Sequence, residues 1–96
     1  MVKVVANRFI REECLEEYLR LVEELVKRTN ENDPGCITYE LCRSQRDPLH
    51  FAMLEEWETP EDLANHSKSA HCQELIPQIS SFSSKDPQIS IFDKLF

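Results

Sequence analysis

Hydrophobic and polar positions follow two rhythms along this chain, and the places where one gives way to the other mark its elements. From Met1 to Ile10 the pattern is that of a strand rich in β-branched residues. Lys3, Val5, Asn7 and Phe9 fall on one face, and Val2, Val4, Ala6 and Arg8 on the other. From Glu12 to Thr29 the period lengthens to that of a helix. Leu15, Tyr18, Leu19, Val22, Leu25 and Val26 form one apolar stripe. Glu12, Glu13, Glu16 and Glu17 crowd its start and Lys27 and Arg28 its end, an order that suits the helix dipole.

The sequence NENDPG at Asn30–Gly35 predicts a turn. Alternation then resumes over Cys36–Gln45 and again over Leu49–Glu58, with the short Arg46-Asp47-Pro48 connection between them, so the two segments predict a hairpin. Thr59 and Pro60 open a second helix as N-cap and first helical residue, and Glu61 and Asp62 complement its dipole. Leu63 and His66 share a face of that helix. Ser67-Lys68-Ser69 interrupts it, and a further helical piece starts near Ser69 or Ala70 and carries Cys72, Leu75, Ile76 and Ile79. Pro77 predicts a kink or an end to its regular hydrogen bonding. Ser80–Pro87 is a polar loop, and Gln88–Leu95 alternates as a last strand.

The order β-α-β-β-α-β, with right-handed crossovers, places both helical regions on one face of a four-stranded antiparallel sheet. This is an α+β, ferredoxin-like sandwich formed by a single domain over residues 1–96. Both sheet faces carry apolar residues, yet only one is covered by helices. A second copy of the chain, packed sheet to sheet as a two-fold dimer, is therefore expected on the open face.

Composition narrows the function classes. The net charge of −7 argues against a nucleic-acid surface and against an anionic membrane surface. Gly35 is the only glycine, which excludes a glycine-rich phosphate cradle. No apolar run approaches the ~20 residues a bilayer span needs, and the N-terminus lacks the apolar core of a signal peptide. A cytoplasmic location is expected, with Cys14, Cys36, Cys42 and Cys72 as reduced thiols that pack as small hydrophobes.

Three stretches carry a resemblance. They are Asp33–Leu41 (DPGCITYEL), Phe51–Trp57 (FAMLEEW), and Asp62–His66 followed by Ser69-Ala70-His71. Together they resemble the antibiotic biosynthesis monooxygenase domain family. The resemblance spans nearly the whole chain. It implies a dimeric α+β barrel built from two ferredoxin-like sheets, with a pocket between sheet and helices in each subunit. It also implies one of several activities. Family members include cofactor-independent oxygenases of quinols and aromatic polyketides, haem-degrading enzymes, and an isomerase of a phosphorylated quorum-sensing signal. Asn7 matches the first-strand Asn of the haem-degrading branch. His66 stands where that branch has a Trp, and Ile76 where it has the haem-ligating His, so no haem or other cofactor is expected.

The candidate site residues follow. His66 shares the inward helix face with Leu63 and is the expected general base. Asn7 is expected to orient the substrate through its amide. Trp57, Tyr39 and His71 are expected to bind substrate, with the Trp57 and Tyr39 rings as pocket walls. Cys72 lies near a helix N-terminus, where a thiol's pKa can fall. Glu55 and Glu56 point to opposite faces and so form no carboxylate pair. His50, beside a turn, is expected to be exposed. No metal is expected, because His66 and His71 are five apart and lack the i, i+4 spacing of ligands on one helix. The expected reaction is cofactor-independent monooxygenation of a small electron-rich, quinol-like aromatic. The alternatives are isomerisation of a small phosphorylated metabolite, with Arg8 and Arg43 as anion anchors, and a non-catalytic small-molecule-binding or stress module.

Overall fold

A computed structural model describes all residues from Met1 to Phe96. Its sheet has β1 (Val2–Phe9) near the middle, β3 (His50–Trp57) and then β2 (Cys36–Arg43) on one side, and β4 (Gln88–Asp93) on the other. All pairings are antiparallel. A 3₁₀ turn at Glu12–Cys14 leads into α1 (Leu15–Asn32); α2 (Pro60–Ser67) and α3 (Ala70–Ser81) follow β3. The ferredoxin-like α+β order read from the sequence is the one observed.

The register decides which residues meet beneath the helices. Val4 lies opposite both Glu55 and Ile91, and Glu55 lies opposite Tyr39, so these four form one rung. Residues opposite one another share a face. This rung belongs to the helix-covered side, with Ala6 and Arg8 on the same side of β1. A bulge between Cys36 and Thr38 re-aims the start of β2 and leaves Ile37 exposed. The core joins this sheet face to Tyr18, Leu21, Val22 and Leu25 of α1 and to Cys72, Leu75 and Ile79 of α3. Trp57 is fully buried.

Element ends differ from the sequence reading in ways with local causes. α1 runs three residues past Thr29, because the backbone hydrogen bonding continues to Asp33 N–H, which donates to Thr29 C=O at 3.0 Å. α3 continues through Pro77 to Ser81. Pro77 has no N–H to return to the Gln73 carbonyl, so it costs the helix one bond without stopping it. Side chains cap both later helices: Thr59 accepts from Asp62 N–H, and Ser69 accepts from Cys72 N–H.

Gly35 fixes the turn between α1 and β2. Its φ is +78°, and its carbonyl accepts from Glu58 N–H at 2.9 Å. A Cβ there would fall 2.1 Å from Asp62 Oδ2, and Asp62 is itself held by the Thr59 hydroxyl. Gly35→Ala therefore combines left-handed backbone strain with a clash at the start of α2. A loss of about 2–4 kcal/mol is expected, which lowers Tm by about 10 °C or more in thermal unfolding. An unchanged Tm would show that the turn is not clamped on α2.

Candidate active site

The sheet and helices enclose a cavity of about 410 Å³ with a mainly apolar wall. Val4, Met53, Val22 and Ile76 are among its apolar lining. Polar groups gather at two places. Tyr39, Glu55, His66 and Cys72 mark one, and Arg8, whose guanidinium Nη1 donates to Ser80 Oγ at 3.1 Å, marks the other. Arg8 is the only Lys or Arg in the wall. Ile89 and Ile91 of β4 line the cavity yet stay largely exposed, so its mouth lies along β4, which no helix covers.

One acidic residue organises the first polar group. Asp33, in the turn that Gly35 clamps, reaches both histidines with a single oxygen. Asp33 Oδ2 lies 2.6 Å from His66 Nδ1 and 3.0 Å from His71 Nε2. A carboxylate only accepts, so each imidazole nitrogen that meets it carries the proton. For His66 this fixes the Nδ1–H tautomer and leaves Nε2 as the unprotonated, basic atom. Cys72 Sγ sits 3.3 Å from Nε2 and 3.7 Å from Nδ1, beside the ring. The His66 ring also lies 4.7 Å from the Trp57 ring and 5.0 Å from Tyr39, centre to centre. Burial pushes the His66 pKa below its ordinary value, while Asp33 opposes that shift. The ring is therefore neutral at pH 7.

Burial also pushes the Tyr39 hydroxyl well above its usual range, with the Glu55 carboxyl adding to the shift, so the phenol stays protonated. The Cys72 thiol is raised by burial too, against the lowering expected at a helix N-terminus. Glu55 accepts from Trp57 Nε1–H at 3.0 Å inside the wall. Burial raises the Glu55 pKa, and the Trp57 bond pulls it partly back. A carboxyl raised in the folded state favours folding fully below its unfolded pKa near 4.3, and that contribution is lost as pH rises through the folded value. Glu55→Gln keeps an acceptor for Trp57 and removes the charge. Its Tm is expected to exceed that of the native chain at pH 8, with the difference closing towards pH 4. A lower Tm at pH 8 would mean that the buried charge is net stabilising.

The structure brings together His66, His71, Tyr39 and Trp57, but only His66 and Tyr39 line the cavity: Trp57 packs behind the His66 ring and His71 on Asp33, so neither stands in the wall where substrate contact was expected. It does not bring Asn7 to them. Strand alternation turns Asn7 to the open sheet face, away from Val4, Ala6 and Arg8. There its Oδ1 meets His50 Nε2 at 2.8 Å. His50 is half-buried against the Phe9 ring rather than exposed. Glu56 is buried on the same open face, where its hydrogen bond to Lys3 and the nearby Lys94 hold its pKa low. Arg43 stacks over the Phe51 ring, 5.1 Å from its centre. Asp33 and Glu55 were missed as site residues. Glu55 was detectable, since it shares strand parity with Met53 and Trp57. Asp33 gave only a turn signal, because its contacts lie 33 and 38 residues along the chain.

Comparisons with known proteins agree with this fold. The sequence profile described as antibiotic biosynthesis monooxygenase matches residues 1–78. A crystal structure of an antibiotic biosynthesis monooxygenase is 35% identical, with a TM-score of 0.93 and 99% of each chain covered. A conserved protein from Methanosarcina mazei Go1 is 31% identical, with a TM-score of 0.94, covering 98% of this chain and 92% of its own. A protein from Mycobacterium tuberculosis shares the fold at 19% identity, with a TM-score of 0.91 and coverage of 99% and 95%. No curated protein matches the sequence. On the profile match over residues 1–78 and the relative at 35% identity, the chain belongs to the antibiotic biosynthesis monooxygenase family.

Proposed function

We propose that the protein is a cofactor-independent monooxygenase of a small electron-rich aromatic, a quinol or an anthrone, bound in the sheet–helix cavity. The observation that carries this reading is the 2.6 Å contact from His66 Nδ1 to Asp33. It leaves a neutral imidazole with an unprotonated Nε2, beside the Cys72 thiol, on a residue that lines an apolar chamber. A base of that kind takes the acidic proton of the substrate near pH 7. The resulting anion is electron-rich enough to pass one electron to O₂. The radical and superoxide recombine as a peroxide at the ring carbon, and loss of water leaves a carbonyl. For an anthrone the balance is CH₂ plus O₂ giving C=O plus H₂O.

The chain contributes positioning and electrostatics. Tyr39, held protonated, donates to the developing oxyanion. The apolar wall excludes water and strengthens that bond. The cavity volume lies within the range of about 300–1,000 Å³ usual for small-molecule sites. His71 holds Asp33 in place by donating to the same oxygen. One guanidinium in an apolar wall does not favour the phosphorylated-metabolite isomerase, which needs several cationic anchors. A binding module without chemistry would not need His66 turned inward on a buried carboxylate.

The open sheet face exposes Phe92 to 53% and carries Val5, Phe9 and Leu54. We assign it to a two-fold dimer, tested by light scattering, where a mass of one chain at micromolar concentration contradicts it. No helix is long and apolar enough to cross a membrane. All four cysteines are free thiols, which suits a reducing cytoplasm.

The functional test is oxygen uptake against a panel of hydroquinones and anthrones, with ¹⁸O₂ as the label. One O₂ consumed per carbonyl formed, with ¹⁸O in that carbonyl, is expected. No uptake across the panel by folded protein overturns the proposal.

A further inference from the structure

Lys68 and Ser69 break the helix between the two histidines, so the i, i+4 spacing of ligands on one helix does not apply to them. His66 is the last residue but one of α2 and His71 the second of α3, so the two rings meet across the break at 6.0 Å, centre to centre. Cys72 follows at once. One donor atom from each of His66, His71 and Cys72 lies within 4.8 Å of the others, and all three residues are buried. Asp33 Oδ2 completes the group at 2.6 and 3.0 Å from the two imidazole nitrogens.

We infer that Asp33, His66, His71 and Cys72 form a binding site for a borderline-soft divalent transition metal of the zinc type. Two neutral nitrogens, a thiolate and a carboxylate oxygen are the donor set that tetrahedral Zn²⁺ accepts. With bond lengths of about 2.0–2.3 Å, tetrahedral donors stand about 3.3–3.7 Å apart. The Cys72–His66 separation of 3.7 Å already fits. The Asp33 contacts are tighter because protons occupy them now, and they need to open by about 1 Å or less. The ion takes the place of those two protons. The His66 proton moves from Nδ1 to Nε2, the His71 proton from Nε2 to Nδ1, and the Cys72 thiol releases its proton to solvent. One proton therefore leaves per ion bound.

This chemistry has a consequence for the proposed reaction. With the ion bound, Nε2 of His66 carries a proton and no longer serves as a base, so occupancy switches the site off. The metal site itself does not depend on the oxygenase reading. It is tested by spectroscopy and stays standing if no substrate is oxidised, just as the oxygenase stands if no metal binds.

The experiment is titration of the reduced full chain with Co²⁺ under anaerobic conditions, followed by displacement with Zn²⁺. The expected result is one ion per chain, intense visible bands of tetrahedral cobalt, and a thiolate-to-cobalt charge-transfer band in the near ultraviolet. Cys72→Ser removes the charge-transfer band, and His71→Gln weakens binding at least about 10-fold. Circular dichroism confirms that each variant is folded. Zn²⁺ raises the Tm of the native chain and not that of His71→Gln. Cys36→Ser, at the thiol three residues from Asp33, is the control and leaves the spectrum unchanged. Weak octahedral bands, no binding, or a charge-transfer band that survives Cys72→Ser overturns the inference.

Discussion

Asp33→Asn is expected to lower kcat/KM for an oxidised phenol or anthrone about 100-fold or more, with the fold retained by circular dichroism. The carboxylate differs from an amide in two ways. It has no donor to turn towards His66 Nδ1 or His71 Nε2, so both rings must donate to it, and its charge opposes the depression of the His66 pKa. An amide can turn its NH₂ to Nδ1, which drives the ring proton to Nε2 and removes the basic atom from the cavity wall. The pH profile separates this role from a structural one. In the native protein kcat/KM should fall as pH drops through an apparent pKa below the ordinary histidine value near 6.5. That flank reports His66 becoming protonated. In Asp33→Asn the plateau drops and the flank moves to still lower pH, because the group that raised the His66 pKa is gone. A variant that loses activity with its flank unmoved would place Asp33 in a merely structural role.

Trp57→Ala carries the largest expected loss of stability, about 3–5 kcal/mol from the ring volume alone. Trp57 is fully buried and packs on both His66 and Tyr39. Its removal also strips Glu55 of its hydrogen-bond donor, at a further cost of about 1–3 kcal/mol for a buried group left unpaired. Domains of this size have a net stability of about 5–15 kcal/mol, so the variant is expected to be largely unfolded or to melt near ambient temperature. Trp57→Phe isolates the smaller part. It keeps most of the apolar volume and loses the N–H, so a loss of about 1–3 kcal/mol is expected. Urea unfolding followed by circular dichroism measures both, since these variants lack the chain's only Trp as a fluorophore. A Trp57→Ala loss below about 1 kcal/mol would mean that the ring is not part of the core.

The fold was legible because local and long-range signals agree. The stripe from Tyr18 to Leu25, the caps Thr59 and Ser69, and the single Gly35 each point to the element found there. Strand parity also foretold which face of β1 carries Asn7, and that face is the open one. The family resemblance draws Asn7 into the site, but alternation alone does not say which face of β1 the helices cover, and the register puts Val4, not Asn7, on that side. The site was half legible. His66 could be placed inward from its helix face, and Trp57 and Tyr39 from their strand faces. Asp33 could not, because its role depends on how the Gly35 turn docks on α2. Nothing local in Asp-Pro-Gly encodes that docking. The metal-type cluster was hidden for a related reason: a helix break changes the spacing at which two histidines can share a ligand.

Asp33 holds His66 as a neutral base with Nε2 unprotonated. Long-range ¹H–¹⁵N correlation spectra of the imidazole nitrogens, recorded on the metal-free protein at pH 7, test it most directly. A protonated, pyrrole-type shift is expected for His66 Nδ1 and an unprotonated, pyridine-type shift for Nε2, with both changing in Asp33→Asn. An Nε2–H tautomer, or a His66 imidazolium persisting at pH 7, would contradict it.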